Sequence, residues 1–273
     1  MNSGLLNRGD SPFNQNIWDL IDNTVKSVAS QTLSARKLLH IEGPYGLELK
    51  FVPGPDKKIK DEGADELSVS VAAGAPLAFL VNKFTLNSRD LDQFSSSGIL
   101  FDMKDLVSSV LAISDKEDKL LFNGSKSLGV NGIINAPGVL KSKLKPWTRI
   151  GDAAESVITA VDQLDKAGFH GPYSLALSPA LYNSLFRRYP QEEVLEIEHL
   201  KSLVTKGIFK APSLNNGGVL VNYGVQFASI VLGQDLVTGF EGPSGRDYIF
   251  VVSESLALRI NIPQSICVLE PAE

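Results

Sequence analysis

Along residues 17–39 the apolar positions recur with a helical period: Ile17, Ile21, Val25 and Val28 share one stripe, with Leu20 and Leu33 beside it. The spacing predicts an amphipathic helix from Ile17 to Leu39. Pro12 and an Asn-rich stretch lead into it, and Arg36 and Lys37 sit in its last turn, where the helix dipole favours cations. Gly43-Pro44-Tyr45-Gly46 then stops and turns the chain. The period drops to two at Leu47–Val52 (Leu47, Leu49, Phe51) and at Leu67–Val71 (Leu67, Val69, Val71). Polar residues fill Pro53–Glu66 between them, which predicts a two-stranded arm with an exposed tip. Two strands alone are marginal in water, so the arm needs another surface to lie on, a first hint of a neighbouring subunit.

Ala78–Leu86 reads as a strand, Ser88–Phe94 as a short helix and Ser95-Ser96-Ser97-Gly98 as a break. Asp102 caps a helix running to about Phe122, with Leu106, Val107, Val110, Leu111 and Ile113 on one side. At ~1.5 Å per residue it is ~30 Å long, enough for a spine. Val130–Trp147 reads as loop. Asp152 opens a helix with Glu155 in the capping-box position, Val157, Ile158, Val161 and Leu164 on its apolar face, and Gly168 at its end. Tyr173–Leu177 is a strand, Ser178-Pro179 starts a helix reaching Phe186, and Arg187–Glu193 is a charged loop. A helix over Leu195–Lys206 is closed by Gly207. Strands then dominate: Gly218–Asn222, Phe227–Leu232, Tyr248–Val252, Ala257–Ile262 and Ile266–Leu269. The whole is α+β, with a compact α/β piece near 131–225 and no internal repeat.

Composition narrows the function classes. The chain has 273 residues, 43% of them apolar, and a net charge of −5; its mean hydropathy is +0.03. That is an ordinary globular protein, neither disordered nor collagen-like. The longest apolar run, Ala75–Val81, is too short for a membrane span, and Met1–Asp10 lacks the apolar core of a signal peptide. The acidity argues against nucleic acid as a partner. Cys267 is alone and reads as a small buried hydrophobe, so no disulfide is expected and the expected compartment is the reducing cytoplasm. His40, His170 and His199 are far apart and form no metal-ligand spacing. No phosphate-binding glycine loop or dinucleotide fingerprint occurs. Gly242-Pro243-Ser244-Gly245 only looks like a nucleophile elbow and lies in a turn between strands. Ser34-Ala35-Arg36-Lys37 fits SxxK without its partner motifs. The carboxylates at Asp115, Glu117 and Asp118, and at Glu192, Glu193, Glu196 and Glu198, read as solvated faces. The motifs therefore predict no catalytic residue, no metal site, no cofactor and no enzyme.

A set of segments in order carries a resemblance. They are the first helix running into Ile41-Glu42-Gly43-Pro44-Tyr45-Gly46, then Phe84-Thr85-Leu86 with Asp90-Leu91-Asp92. Asp118-Lys119-Leu120-Leu121-Phe122-Asn123-Gly124 and Gly129-Val130-Asn131-Gly132-Ile133 follow. His170-Gly171-Pro172-Tyr173-Ser174-Leu175 comes next, with Ser178-Pro179 and Leu181-Tyr182, then Leu232-Gly233-Gln234-Asp235 and Ile266-Cys267-Val268-Leu269. Together they resemble an encapsulin shell protein over nearly the whole chain. The resemblance implies the tailed-phage major-capsid fold: an N-terminal arm and helix at 1–46, an E-loop at 47–77, a P-domain at 78–130 and 226–273 with the spine helix, and an A-domain at 131–225. It also implies self-assembly into a closed icosahedral compartment in the cytoplasm. Such a compartment encloses cargo enzymes, ferritin-like or dye-decolorizing peroxidases, through their C-terminal targeting peptides. Iron storage and oxidative stress are the implied settings, with neither nucleic acid nor membrane as a partner.

Three sets of residues are implied in the same way. The cargo-peptide groove would draw on Val28, Thr32, Arg36, Lys37 and Ile41, with Leu232 and Asp235 on the other wall. The pore loop would be Phe186, Arg187, Arg188, Tyr189, Glu192 and Glu193, where symmetry turns each charge into a ring. The subunit interface would bury Leu49, Phe51, Val69 and Val71 of the arm. Some relatives have a flavin near an aromatic in the 84–94 region; Arg89 stands at the stacking position here, so no flavin is expected. A phage capsid protein packaging DNA is the alternative within the fold, and an intracellular hydrolase the alternative outside it.

Overall fold

The structure, a computed structural model, describes residues 6–54, 57–60, 68–71, 74–189 and 194–271, with backbone alone at 57–60 and 68–71. It begins with α1 (Gln15–Thr32), α2 (Ala35–Leu38), β1 (His40–Glu42), β2 (Phe51–Pro53), β3 (Lys57–Lys60), β4 (Ser68–Val71), β5 (Gly74–Pro76) and β6 (Ala78–Asn87). Next come α3 (Ser88–Ser97), α4 (Lys104–Asn123), β7 (Leu140–Leu144), α5 (Asp152–Lys166), β8 (Tyr173–Leu177), α6 (Pro179–Ser184), α7 (Glu196–Leu203) and β9 (Gly207–Lys210). β10 (Gly218–Asn222), β11 (Ala228–Ser244), β12 (Asp247–Ile260) and β13 (Ile266–Pro271) complete it. This is the α+β fold that the alternating patterns indicate.

A four-stranded sheet has the order β1-β11-β12-β6, and a five-stranded sheet the order β7-β13-β10-β8-β9. α1 and α4 cover the first sheet: Ile17, Trp18 and Ile21 meet Leu106, Val110 and Phe250 in one apolar cluster. α5 covers one face of the second, with Val157, Val161 and Leu164 against Leu175, Leu177, Leu220 and Cys267. A third cluster, including Leu38, Phe122, Val219, Ile230 and Val268, joins the two sheets.

The first helix is shorter than its periodicity suggests. Asn14 caps it, its Oδ1 accepting from the Ile17 amide at 3.2 Å, but it stops at Thr32. The cause lies 84 residues away. The Asp118 carboxylate accepts the amides of Ser34 (2.9 Å) and Ala35 (3.0 Å) and the Ser34 hydroxyl (2.5 Å). A carboxylate from α4 thus caps α2 and resets the helix, satisfying donors that a local cap would otherwise take. On α4 itself Asp102 accepts from the Lys104 amide at 2.8 Å, while Leu111 is exposed and falls outside the apolar side.

Three further differences concern strands. β11 and β12 are one long hairpin of 17 and 14 residues, not the three short strands expected over 227–262. Its polar stretches Gln234–Leu236 and Ser253–Ser255 interrupt the apolar alternation, yet they stay within the ladder, eased by bulges at Leu232/Gln234 and Gln234/Val237. The turn at its tip is Gly245-Arg246, and Gly242 lies in a bulge with φ +139. β7 fills part of the expected loop 130–147, pairing in parallel with β13. In the arm, β2 pairs with β5 and β3 with β4, so Phe51 lies opposite Pro76 rather than opposite the 67–71 segment.

Candidate functional site

A cleft of about 750 Å³ runs between α1 and the far half of β11. Val25 and Ala29 of α1, with Leu33 directly after it, stand four residues apart and form one wall, and Leu236 and Val237 of β11 the other. Leu6 and Arg8 close one end. The Phe240 amide donates to the Leu6 carbonyl at 2.8 Å, and Arg8 Nε donates to the Thr238 carbonyl at 2.8 Å. Arg8 also forks onto Asp22 at 2.6 and 2.7 Å and lies 4.3 Å over the Trp18 ring. Gly239 permits this approach: a Cβ there would stand 3.0 Å from the Leu6 carbonyl oxygen.

The other end rests on Arg36. Its Nε and Nη2 donate to Glu117 (2.7 and 3.0 Å), Nη2 also to Glu254 (2.7 Å), and Nη1 to Asp235 (2.6 Å). Glu117 and Glu254 are both fully buried, so the guanidinium ties α2 to α4, β11 and β12 from within. Burial pushes the Glu254 carboxyl up to about 10, and neighbouring Glu117 adds to the push, outweighing Arg36. Burial and the proximity of the two carboxyls thus favour a proton held within the Glu117–Glu254 pair. Burial raises Glu117 as well, against the pull of Arg36, and raises Asp118 against its bonds to Ser34 and Ala35. Burial alone would lower the Arg36 guanidinium; Glu117 and Glu254 more than reverse that and hold it above its ordinary value. The expectation of a solvated acidic face fails here because Glu117 and Asp118 have partners across the fold. Glu196 departs in the same way: it is fully buried, accepting from the Gly151 amide at 2.9 Å and from Arg187 Nη2 at 3.2 Å.

Of the implied groove residues, Arg36, Lys37 and Asp235 line the cleft. Val28 packs half-buried against the α1 cluster, and Thr32 Oγ1 donates to the Val28 carbonyl at 2.6 Å. Ile41 lies in β1 beside Ile230, and Leu232 is 2% exposed in the core. The sequence reading missed Leu6, Arg8, Ala29, Leu236 and Val237. The four-residue step Val25–Ala29–Leu33 was the available signal; the two β11 residues sit in the bulged stretch that alternation does not flag.

In the implied pore loop, Phe186 is exposed, and Arg187 turns inward to the carbonyls of Trp147 (3.1 Å) and Arg149 (3.3 Å) as well as to Glu196. Arg188 is exposed, Tyr189 packs edge-on to His199, and Glu192 and Glu193 lie outside the described residues. In the arm, Leu49 packs half-buried on Val52, Val231 and Ala257, and Phe51 is exposed. Val69 and Val71 belong to β4 by backbone. Among the described residues no group of three or more His, Cys, Asp or Glu is placed to hold a metal, and no helix is long and apolar enough to cross a membrane. Cys267 is fully buried, and burial pushes its thiol up to about 12.

The architecture is that of capsid-type shell subunits. The crystal structure of a virus-like particle from Pyrococcus furiosus superposes with a TM-score of 0.74 at 22% identity, over 93% of this chain and 99% of that one. The capsid of Myoviridae phage XM1 shares the fold with a TM-score of 0.57 at 11% identity, over 86% and 90% of the two chains. The family model described as "Encapsulating protein for peroxidase" matches residues 1–257. The type 1 encapsulin shell protein EncA of Myxococcus xanthus is 30% identical over 98% of this chain and 96% of its own length. The chain belongs to the encapsulin family of shell proteins, whose role is structural, as the wall of a nanocompartment.

Proposed function

We propose that the compartment is a closed icosahedral shell in the cytoplasm, and that guest enzymes are held on its inner wall by a C-terminal targeting peptide seated in the α1–β11 cleft. The observation that carries this reading is the cleft itself. Val25, Ala29, Leu33, Leu236 and Val237 offer shallow apolar walls, while Lys26, Lys37, Asp22 and Asp235 ring them with polar groups. Such a groove suits an extended peptide with small apolar anchors, whose register the rim fixes. The family description supports a peroxidase guest, and a ferritin-like guest is the second class considered. The chemistry belongs to the guest; the shell chain supplies none of its own.

Neighbouring copies are held together by the arm, through Leu49, Phe51, Val69 and Val71. Interfaces above ~2,000 Å² are usual in permanent assemblies, and a strand arm reaches that size through modest repeated contacts. Small solutes enter through openings lined by the loop after α6, where Arg188 and the glutamates Glu192 and Glu193 set the charge. Cryo-electron microscopy of natively purified particles, with mass spectrometry of their contents, tests the reading. Hollow particles with peptide density in the α1–β11 cleft and a peroxidase or ferritin-like guest are expected. Guest density anchored elsewhere overturns the cleft assignment, and packaged DNA overturns the compartment.

A further inference from the structure

The five-stranded unit carries two oppositely charged surfaces on opposite sides. β7 is an edge strand, and its exposed positions are Lys141 and Lys143, with Lys145 directly after it. In the parallel ladder Lys141 lies beside Val268 and Lys143 beside Glu270, on the side whose core holds Val219, Val221 and Ile266. α5 packs on the other side, against Leu175, Leu220 and Cys267. Its outward face presents Ile158, 50% exposed, between Glu155 and Asp162, three residues before it and four after. Lys141 is paired with Glu270 at 2.6 Å, but Lys143, Lys145, Glu155 and Asp162 have no ion-pair partner among the described residues.

Resting on the shell reading above, we infer that this α5 face docks on the β7 lysine face of a second copy of the chain. The contact chemistry is complementary. Lysine stems are apolar and cover an exposed Ile158, while their ammonium groups reach the flanking Glu155 and Asp162. Lysines on an edge strand also prevent two β7 edges from pairing with each other. The self-complementary alternative is thereby removed and the head-to-tail one retained. A head-to-tail contact between two different surfaces closes into a ring when its rotation closes, which is what a vertex of a closed shell requires.

Cysteine pairing tests it. Lys143→Cys and Ile158→Cys are combined in one chain and oxidised in assembled particles; native Cys267 is fully buried and does not compete. Expected is a ladder of cross-linked species beyond the dimer, ending at a closed ring. Intact particles whose cysteines stay unlinked, or link only as dimers, overturn the docking and leave the shell reading standing. A wild-type chain that forms no particles overturns the shell reading, and the docking with it. Charge reversal is the second arm. Lys143→Glu with Lys145→Glu, or Glu155→Lys with Asp162→Lys, should each lower the particle fraction about tenfold, and combining all four should restore it. Unchanged yields from either pair, or no restoration, overturn it.

Discussion

In the five-stranded unit, α5 meets Leu175, Leu177, Leu220 and Cys267 in an apolar cluster, whereas α1, α2 and α4 close over the four-stranded sheet with Glu117, Asp118 and Glu254 buried among them and Arg36 half-buried at the cleft. The two interiors respond to different properties. The apolar cluster depends on volume: leucine, isoleucine and valine of about the right size fill it, and substitutions are felt through the space they leave. The charged interior depends on direction, because each carboxylate oxygen needs a particular donor. Asp118 fixes where α2 begins, and Arg36 fixes how α2, β11 and β12 meet. The cleft beside α1 takes its shape from that network, so the polar interior is the one next to the cleft.

The sharpest way to break the contrast is to remove Arg36. Arg36→Met leaves Glu117 buried without its cation, and losing one partner of a buried pair costs about 3–5 kcal/mol. Urea unfolding should show that loss. The comparison sharpens if Glu117→Gln and Glu254→Gln are added to Arg36→Met, since a well-packed neutral replacement recovers most of the stability. A persistent full loss in the triple variant would mean that Arg36 acts through packing alone. In the apolar interior Leu175→Ala should cost about 2–5 kcal/mol, through lost burial and the cavity left behind. Measured across pH, this second loss should stay constant, because no titrating group is involved.

The pH dependence separates the two interiors further. In the folded chain the Glu254 carboxyl is raised to about 10 by burial and by Glu117; unfolded, a Glu titrates near ~4.3. Between those values the folded chain keeps a proton that the unfolded chain releases. The stability linked to this proton is complete below about pH 4, drains as the pH rises, and is gone once the pH passes about 10. Glu254→Gln should flatten the fall in stability between pH 5 and 10, by up to one proton's slope, about 1.4 kcal/mol per pH unit. Urea midpoints at several pH values check it; an unchanged slope would show that the proton sits elsewhere.

Much of the fold was legible in the sequence because period and punctuation report burial directly. Ile17, Ile21 and Val25 face the core as their spacing says, Tyr173–Leu177 and Gly218–Asn222 are the central strands, and Pro179 opens α6. What escaped was polar and non-local. Asp118 ends α1 from another helix, so no pattern near Thr32 announces the break. Ser253, Glu254 and Ser255 read as a gap between strands, yet all three are buried in β12. β7, with lysines alternating against Ser142 and Leu144, reads as loop because its apolar side is so short. Of the residues lining the cleft, the sequence reading named Arg36 and Lys37 of α2 and Asp235 at the start of the bulged stretch. The cleft was illegible at Leu6 and Arg8, which take their positions from hydrogen bonds to β11.

The cap on α2 offers a smaller effect. Ser34 gives its hydroxyl to Asp118 at 2.5 Å, alongside its amide. Ser34→Ala removes the hydroxyl and leaves both amide bonds, so the cost should be about 1 kcal/mol in urea unfolding. A loss as large as that of Arg36→Met would mean that the hydroxyl, not the amides, holds the break.

The smallest stability change is expected at Arg8, where it also separates structure from function. Arg8 and Asp22 are both partly exposed, 29% and 43% at the side chain, so their bond is screened and contributes about 0–1 kcal/mol. Arg8 nevertheless holds the closing segment of the cleft through Thr238 and the Trp18 ring. Arg8→Ala should therefore leave unfolding and particle yield nearly unchanged while lowering the guest-to-shell ratio in purified particles, read by quantitative mass spectrometry. Asp22→Asn keeps an acceptor for Arg8 and should lower that ratio less. Equal guest content in wild-type and Arg8→Ala particles would show that the Leu6–Arg8 segment is only a cover on β11 and that the peptide is held by α1, Lys37 and Asp235 without it.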